Sequence, residues 1–419
     1  GYRGIINTGA TWKKVYLQTS FSQFTRNTYP LSSNYKPTSI ENGGNRDNAF
    51  NNDYKINVKL GFSPSAKSEH SINLIIQKGE KGNPLYAGAD SLNPRFSKPR
   101  YWYWPYWNKT SLYYISKIKL AEKQSLQTRI FYDEFENQLK SYDDGSFTKQ
   151  TKGYAFTSNY FDKTIGGNAI YTNQRVKGHV IKSAFHYKYD LHQEQDEGDP
   201  LRSISDYTTS IGLEDNFSPL KNLFITAGVS FNQRYSLNAE NQLVNQEFTQ
   251  FEKNNSSAFN AMLNSEYQFR KTNSKVFFNI GKATRFATIK DRYSFRLGTA
   301  LPNPDLLPED AINIELGVEG KAKHHFGYKA SIFNAEISNT IQQVDRVFFD
   351  TATKSWLAQQ QNTGKSRFYG AELQLSKYFS KNIHFGLNYS YIERTNLSNP
   401  AILFTAHLLG IEKIYKVGG

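Results

Sequence analysis

Residues 54–62 alternate apolar and polar side chains without a break: Tyr54, Ile56, Val58, Leu60 and Phe62 against Lys55, Asn57, Lys59 and Gly61. An extended chain points successive side chains to opposite faces, so this segment reads as a strand with one apolar and one polar face. The pattern returns in Leu223, Ile225, Ala227, Val229 and Phe231, and again in Ile383, Phe385, Leu387, Tyr389 and Tyr391. Such runs last about nine to thirteen residues; strands of soluble sheets have a mode near five or six, and a tilted strand crossing a bilayer needs about nine to eleven. Length and two-facedness together predict strands that cross a membrane.

Composition removes the competing classes. Tyr 28, Phe 30 and Trp 5 make aromatics 15% of the 419 residues, against a single Met, and this mixture suits pleated surfaces better than helices. No run of about 18 consecutive apolar residues exists, which excludes a helical membrane protein, and the aromatic content excludes a disordered basic tail despite a net charge of +14. With no cysteine there is no disulfide framework, thiolate zinc site or cysteine nucleophile. The start, Gly1-Tyr2-Arg3, has neither an initiator methionine nor a targeting signal, and is expected to be a cut end.

The connections alternate in length. Short polar turns are read at Ser65 to Glu69, Leu120 to Gln124, Pro219 to Asn222, Arg270 to Ser274 and Ser380 to Asn382. Between them lie long segments at 25–53, 81–108, 139–161, 190–205, 236–256, 286–310 and 341–365. Membrane β-barrels have short turns at one rim and long loops at the other, and about sixteen strands fit that template here. Tyr235, Tyr267, Phe269, Phe379, Tyr389 and Tyr391 fall near predicted strand ends, where amphipathic rings suit the headgroup level. In a soluble sandwich the same rings would pack under loops, but so many long strands with one uniformly apolar face do not fit that architecture.

Residues 282–320, centred on Leu301-Pro302-Asn303-Pro304-Asp305-Leu306 and Pro308-Glu309 and running into the strand Asn313 to Gly320, resemble the signature of TonB-dependent outer-membrane receptors. Lys329 to Ile341, and Gln361-Asn362-Thr363-Gly364-Lys365 leading to Tyr369-Gly370-Ala371-Glu372, are similar to the elements that follow in that family, in the same order and spacing. Tyr101-Trp102-Tyr103-Trp104-Pro105-Tyr106-Trp107-Asn108-Lys109 resembles the aromatic loop and strand entry of siderophore and colicin receptors. The resemblance implies an all-β chain: a transmembrane antiparallel β-barrel, incomplete, with about sixteen of the family's twenty-two strands. Residues 1–419 are then expected to be a partial barrel without the N-terminal plug domain or its TonB-engaging segment.

Candidate chemistry is sparse. No H-E-x-x-H or G-x-S-x-G is present, and Gly364-Lys365-Ser366 has Gln359 where a phosphate loop needs its first glycine, so no catalytic residue is assigned and no enzyme is expected. Asp143-Asp144, and Asp133 with Glu134 and Glu136, read as solvated charge rather than acid/base pairs or calcium ligands. His324-His325 and His384 lack a third ligand nearby in sequence, so neither a metal nor a cofactor is assigned. Lys55, Lys59, Lys117, Lys119, Lys182 and Lys188 fall on polar strand faces, either to attract anionic ligands or to pair with acids of a plug. They are too dispersed for nucleic acid.

Two groups stand as ligand contacts. The loop residues Arg100, Tyr101, Trp102, Trp104, Tyr106 and Trp107 could stack on catecholate, porphyrin-like or sugar planes, or anchor the loop at lipid headgroups. Arg296, Asn303 and Asp305 either touch ligand or serve a Pro-rich segment whose prolines stop ladder pairing and set register. The resemblance implies an outer-membrane importer of a Gram-negative bacterium, energised through the TonB complex, for a scarce nutrient such as a metal chelate, with ferric siderophore or cobalamin expected as cargo. The alternatives are a plugless passive channel or adhesin, embedded in the same lipid, and a soluble sugar-binding or glycoside-cleaving β protein.

Overall fold

The computed structural model describes residues 1–415 except 245–246, 323–325, 352–353, 381–382 and 399–400. The turn read at Ser380 to Asn382 lies partly, and the His324-His325 pair wholly, outside them. Strand β1 (Tyr2–Trp12) turns into β2 (Val15–Arg26), and β3 (Asn51–Ser65) into β4 (Ser68–Gly82). The short helix α1 (Pro94–Ser97) precedes β5 (Trp102–Ala121) and β6 (Gln124–Ser141). Then come β7 (Phe156–Asn173), β8 (His179–Asp196), β9 (Arg202–Leu220) and β10 (Leu223–Val244). The strand β11 (Glu247–Gln250) folds back on β10, and β12 (Ser256–Phe269) leads to β13 (Ser274–Arg285). After helix α2 (Ile289–Tyr293) follow β14 (Ala300–Leu301), β15 (Glu309–Ala322) and β16 (Phe326–Ser338). The last five strands are β17 (Ile341–Asp350), β18 (Ser355–Asn362), β19 (Ser366–Ser380), β20 (Ile383–Asn396) and β21 (Ala401–Tyr415).

All but β14, β17 and β18 join one 18-stranded sheet. Apart from β11, its strands follow one another in chain order, each antiparallel to the next, giving a meander of seventeen among the described residues, close to the count read from sequence. Among the described residues β1 pairs only with β2 and β21 only with β20, so the wall is open. The remaining three strands form a small sheet at the long-loop rim, with β14 parallel to β18 and β17 antiparallel to it.

Register shows which face is which, because residues directly opposite each other share a face. Leu17, Leu60, Ile72, Tyr114 and Ile130 are successive partners across β2 to β6. Phe185, Ile211, Phe231 and Phe259 continue across β8, β9, β10 and β12, and Leu263, Ile280 and Ile314 across β12, β13 and β15. Most of these side chains stand open, Leu60 at 51%, Ile130 at 57% and Ile211 at 63% exposure. A contiguous apolar belt of this extent has no place in water, and it is the lipid-facing surface of a transmembrane barrel wall. The opposite face carries Lys59, Asn73, Tyr113, Phe131, Gly166, Lys188, Thr208 and Arg234 as successive partners, a row of mostly polar inner positions.

Two inner rings lie flat on the wall because the residue opposite has no side chain. Tyr16 faces Gly61, and Phe277 faces Gly317. A Cβ would fall 2.0 Å from the Tyr16 ring at Gly61 and 2.3 Å from the Phe277 ring at Gly317, so each glycine is required for the ring to lie there.

The described strands run longer than read from sequence: β5 has 20 residues and β10 has 22. Pairing carries on past the lipid band, so parts of the expected loops are wall. The segment expected as a long loop at 190–205 is mostly strand, with only 197–201 connecting β8 to β9. A packed core of the described residues forms only at the long-loop rim, where Ile204, Ala239 and Tyr293 are buried with Phe251 and Ile289 against them.

Candidate ligand-binding wall at the long-loop rim

The aromatic run expected in a loop lies mostly in the wall: Trp102 to Trp107 open strand β5. Pro105 has no N–H to donate to a ladder, and the register against β6 shifts between Tyr103 and Tyr106. That shift changes which residues point inward. Trp102 is opposite Ser141 and Trp107 opposite Asn137, two positions on the same face of β6 although the tryptophans are an odd number apart. Trp104 is opposite Lys81 of β4. This face continues into Lys109 and Ser111, opposite Phe135 and Asp133, and is the inner one.

The rings form an edge-to-face ladder. Centroids of Trp102 and Trp104 are 6.3 Å apart, of Trp104 and Trp107 6.0 Å, and of Trp107 and Phe135 4.9 Å, with interplanar angles of 90°, 82° and 70°. Quadrupoles favour such contacts over face-to-face stacking and leave ring faces free to receive cations. The Lys81 ammonium takes two of them, 4.9 Å from the Trp104 centroid and 3.4 Å from that of Trp107, and the Arg100 guanidinium lies 4.5 Å over Trp102.

The other members of the run point elsewhere. Tyr106 is opposite Gln138 on the outer face and donates its hydroxyl to Asn159 Oδ1 at 3.3 Å. Tyr101 precedes the strand and packs edge-on against Phe147 of the 142–155 loop at 6.1 Å. In that loop Asp143 is not solvated charge but buried. Its carboxylate accepts from the Thr151 N–H at 2.9 Å, the Thr151 hydroxyl at 2.7 Å and the Lys152 N–H at 2.9 Å. Burial alone would raise its pKa, and the hydrogen bonds from Lys152 and Thr151 outweigh that and hold it below the ordinary 3.8.

The Pro-rich segment is a clasp. Asn303 donates its backbone N–H to the Arg292 carbonyl at 2.7 Å and its side-chain amide to the Gln360 carbonyl at 2.8 Å, and accepts from the Asp305 N–H at 3.2 Å. Gln359 donates to the Pro302 carbonyl at 3.0 Å, and Asn254 to that of Pro304 at 2.6 Å. Arg296, at φ 46°, donates to Gln343 Oε1, while Asp305 is exposed. Of this group, the side-chain amide of Asn303 is spent on loop architecture.

Beneath the clasp lie residues that sequence reasoning missed. Arg292 and Tyr293 of α2 are both at 0% exposure. Arg292 pairs with Asp206 on the inner face of β9 and donates to the Tyr293 hydroxyl at 2.8 Å and the Ala287 carbonyl at 3.2 Å. Arg234 of β10, also buried, reaches the Ala287 carbonyl and Asn254 Oδ1. A buried arginine leaves no periodic signal in sequence; only its place between the strand and the prolines hints at it.

Inner lysines are placed as read, and two find acids within the wall: Lys182 on Glu214 at 2.8 Å and Lys188 on Asp190 at 2.7 Å. Among the described residues no group of three or more His, Asp or Glu is arranged to hold a metal. His384 packs on Tyr378 at 4.4 Å.

The wall resembles solved structures over most of its length. A copper transporter, OprC, superposes with a TM-score of 0.80 at 12% identity, covering 99% of this chain and 64% of that one. The siderophore receptor PirA of Acinetobacter baumannii gives 0.72 at 13% identity, covering 99% and 63%. The FrpB iron transporter of Neisseria meningitidis gives 0.71 at 12%, covering 93% and 60%. At these identities the likeness shows the fold, and the chain spans about three-fifths of the length of those structures. No curated protein sequence matches. The model of the TonB dependent receptor-like β-barrel family matches residues 2–406. That family is one of transporters and receptors in the outer membrane of Gram-negative bacteria, and this chain belongs to it.

Proposed function

We propose that residues 1–419 are the barrel part of an active importer in the outer membrane, working with a plug and energised through the TonB complex. Its cargo is a scarce metal chelate or similarly bulky nutrient, with a ferric siderophore or cobalamin as the leading candidates. The observation that carries this reading is the inward ladder of Trp102, Trp104, Trp107 and Phe135 with Lys81 and Arg100, placed on the inner wall where the long loops begin. Ring faces and cations together suit a planar, electron-rich, anionic ligand such as a catecholate or porphyrin-like chelate. The similar structures, a copper transporter, a siderophore receptor and an iron transporter, support the same class of cargo.

The test is uptake by the complete receptor in cells with and without TonB. An active importer loses uptake without TonB, and loses most of it when Trp104 and Trp107 are both changed to Ala at unchanged barrel abundance. Uptake that persists without TonB would mean a passive channel; normal uptake per molecule at reduced abundance would make the rings a membrane anchor.

A further inference from the structure

The short turns described at one rim are uniformly basic. The β1–β2 turn is Lys13-Lys14, the β3–β4 turn contains Lys67 and the β5–β6 turn Lys123. The next three carry Arg175 and Lys177, then Lys221, then Arg270-Lys271. Every short turn described therefore presents at least one cation, all are exposed, and the only acid among these turn residues is Glu122. None of these cations belongs to an ion pair of the described residues, although inner-wall lysines only a few residues away, such as Lys182 and Lys275, do.

The other rim mixes both signs, with only its 83–101 loop clearly basic, Arg95, Lys98 and Arg100 standing against Asp90. Its 197–201 connection holds Glu197 and Asp199 and no cation, its 27–50 loop pairs Arg46 with Glu41, and its 142–155 loop sets Asp143 and Asp144 against Lys149 and Lys152. Sequence composition gives the sum of charge but not this separation.

Height on the wall identifies the partner. Outward rings stand beside the basic turns: Trp12 at 57% exposure next to Lys13, and Phe269 at 45% next to Arg270, with Tyr267 on the same face. Exposed Trp and Tyr rings such as Trp12 and Tyr267 mark the edge of the hydrocarbon, and a cation just beyond them along the chain reaches the phosphate level. Short turns of membrane barrels face the periplasm. We infer that the short-turn rim is a binding ring for anionic phospholipid headgroups of the periplasmic leaflet. This rests on the wall spanning a bilayer. A phosphate-level ring fits lipid better than an acidic protein because its cations are spread evenly around the rim, not gathered in a patch.

The complete receptor is reconstituted in nanodiscs of equal parts phosphatidylcholine and phosphatidylglycerol, and the lipids retained by the barrel are counted by native mass spectrometry. Phosphatidylglycerol is expected to be retained about threefold or more over phosphatidylcholine at low salt, falling toward parity at high salt. A variant with Lys13, Lys14, Lys67, Lys123, Lys221 and Lys271 changed to Gln should lose most of the low-salt preference. A variant with Lys36, Lys98, Lys149, Lys152, Lys253 and Lys290 changed to Gln, at the other rim, should keep the preference. A folded wild-type barrel without preference overturns the inference, as does a preference that both variants lose alike. Parity combined with capture of polyglutamate through the rim lysines would overturn it in favour of an acidic protein. Failure to form a heat-modifiable barrel in any lipid would sink the membrane reading itself, and is seen on a gel before any lipid is counted.

Discussion

The ammonium of Lys81 lies 3.4 Å from the centre of the Trp107 ring, a contact across the β4–β5 ladder that exists only because the strand slips register at Pro105. With an unbroken ladder, Trp107 would face the opposite way from Trp102 and Trp104, and the three rings would not form one surface.

Trp107→Ala should therefore weaken cargo binding by about 2- to 30-fold, the range of an aromatic and cation–π contact of roughly 0.5–2 kcal/mol. Tyr106→Ala, one residue away but outward, should leave affinity within about twofold. Cargo titration of both purified variants is the check; equal losses would remove the inner-ladder assignment.

Val58 is flanked by Thr19 and Leu74 on the outer face, while Lys59 points inward over the Tyr16 ring at 5.5 Å. Val58→Arg is expected to destabilise the complete barrel in lipid by about 2–4 kcal/mol and Lys59→Asn by about 1 kcal/mol or less. Reversible urea unfolding in vesicles measures both, and similar values would mean the faces are assigned wrongly.

Gly317→Ala puts a methyl where the Phe277 ring lies, and should cost about 1–3 kcal/mol. Combined with Phe277→Leu, which vacates that space, the penalty should shrink, giving a coupling of about 0.5 kcal/mol or more in a double-mutant cycle. Simple additivity would show that the ring does not rest on the glycine.

Asp206→Asn leaves the fully buried Arg292 without its carboxylate. The expected penalty is about 3–5 kcal/mol, felt in the clasp at 286–308 before the wall. Hydrogen exchange should speed up in that loop while β9 stays protected. Uniform loss of protection would mean that the pair supports the whole barrel.

The Asp143 carboxyl has a lowered pKa, so the stability it lends the 142–155 loop is complete above its ordinary 3.8 and is lost as the pH falls through the lowered value. Exchange in the loop, corrected for intrinsic rates, should stay constant from pH 7 to about 5 and rise in stronger acid. Asp143→Asn should exchange rapidly throughout. A loop equally protected in strong acid would rule out the carboxylate as its organiser.

The two candidate groups show how far sequence reached. Arg100, Trp102, Trp104 and Trp107 share a surface as expected from their clustering, but Tyr106 leaves it because a proline shifts the ladder. Asn303 was legible as part of a signature, yet its partners Arg292 and Gln360 are set by folding of the segment onto β9 and β18. Lys182 and Lys188 were placed on the inner face by alternation alone; that Glu214 and Asp190 lie beside them required the register.

Alternation is a property of one strand, so the sequence by itself determined that Leu60 and Val58 look one way and Lys59 the other, and that the strands are long enough for a bilayer. Register is a property of two strands, and in a wall of seventeen described strands each pairing depends on the one before. Only the tertiary structure decided that Gly61 would receive Tyr16, that Pro105 would turn three tryptophans onto one face, and that Arg292 would be buried on Asp206. The physical reason is that hydrogen-bond ladders and buried ion pairs join residues far apart in the chain, whose meeting no local pattern encodes.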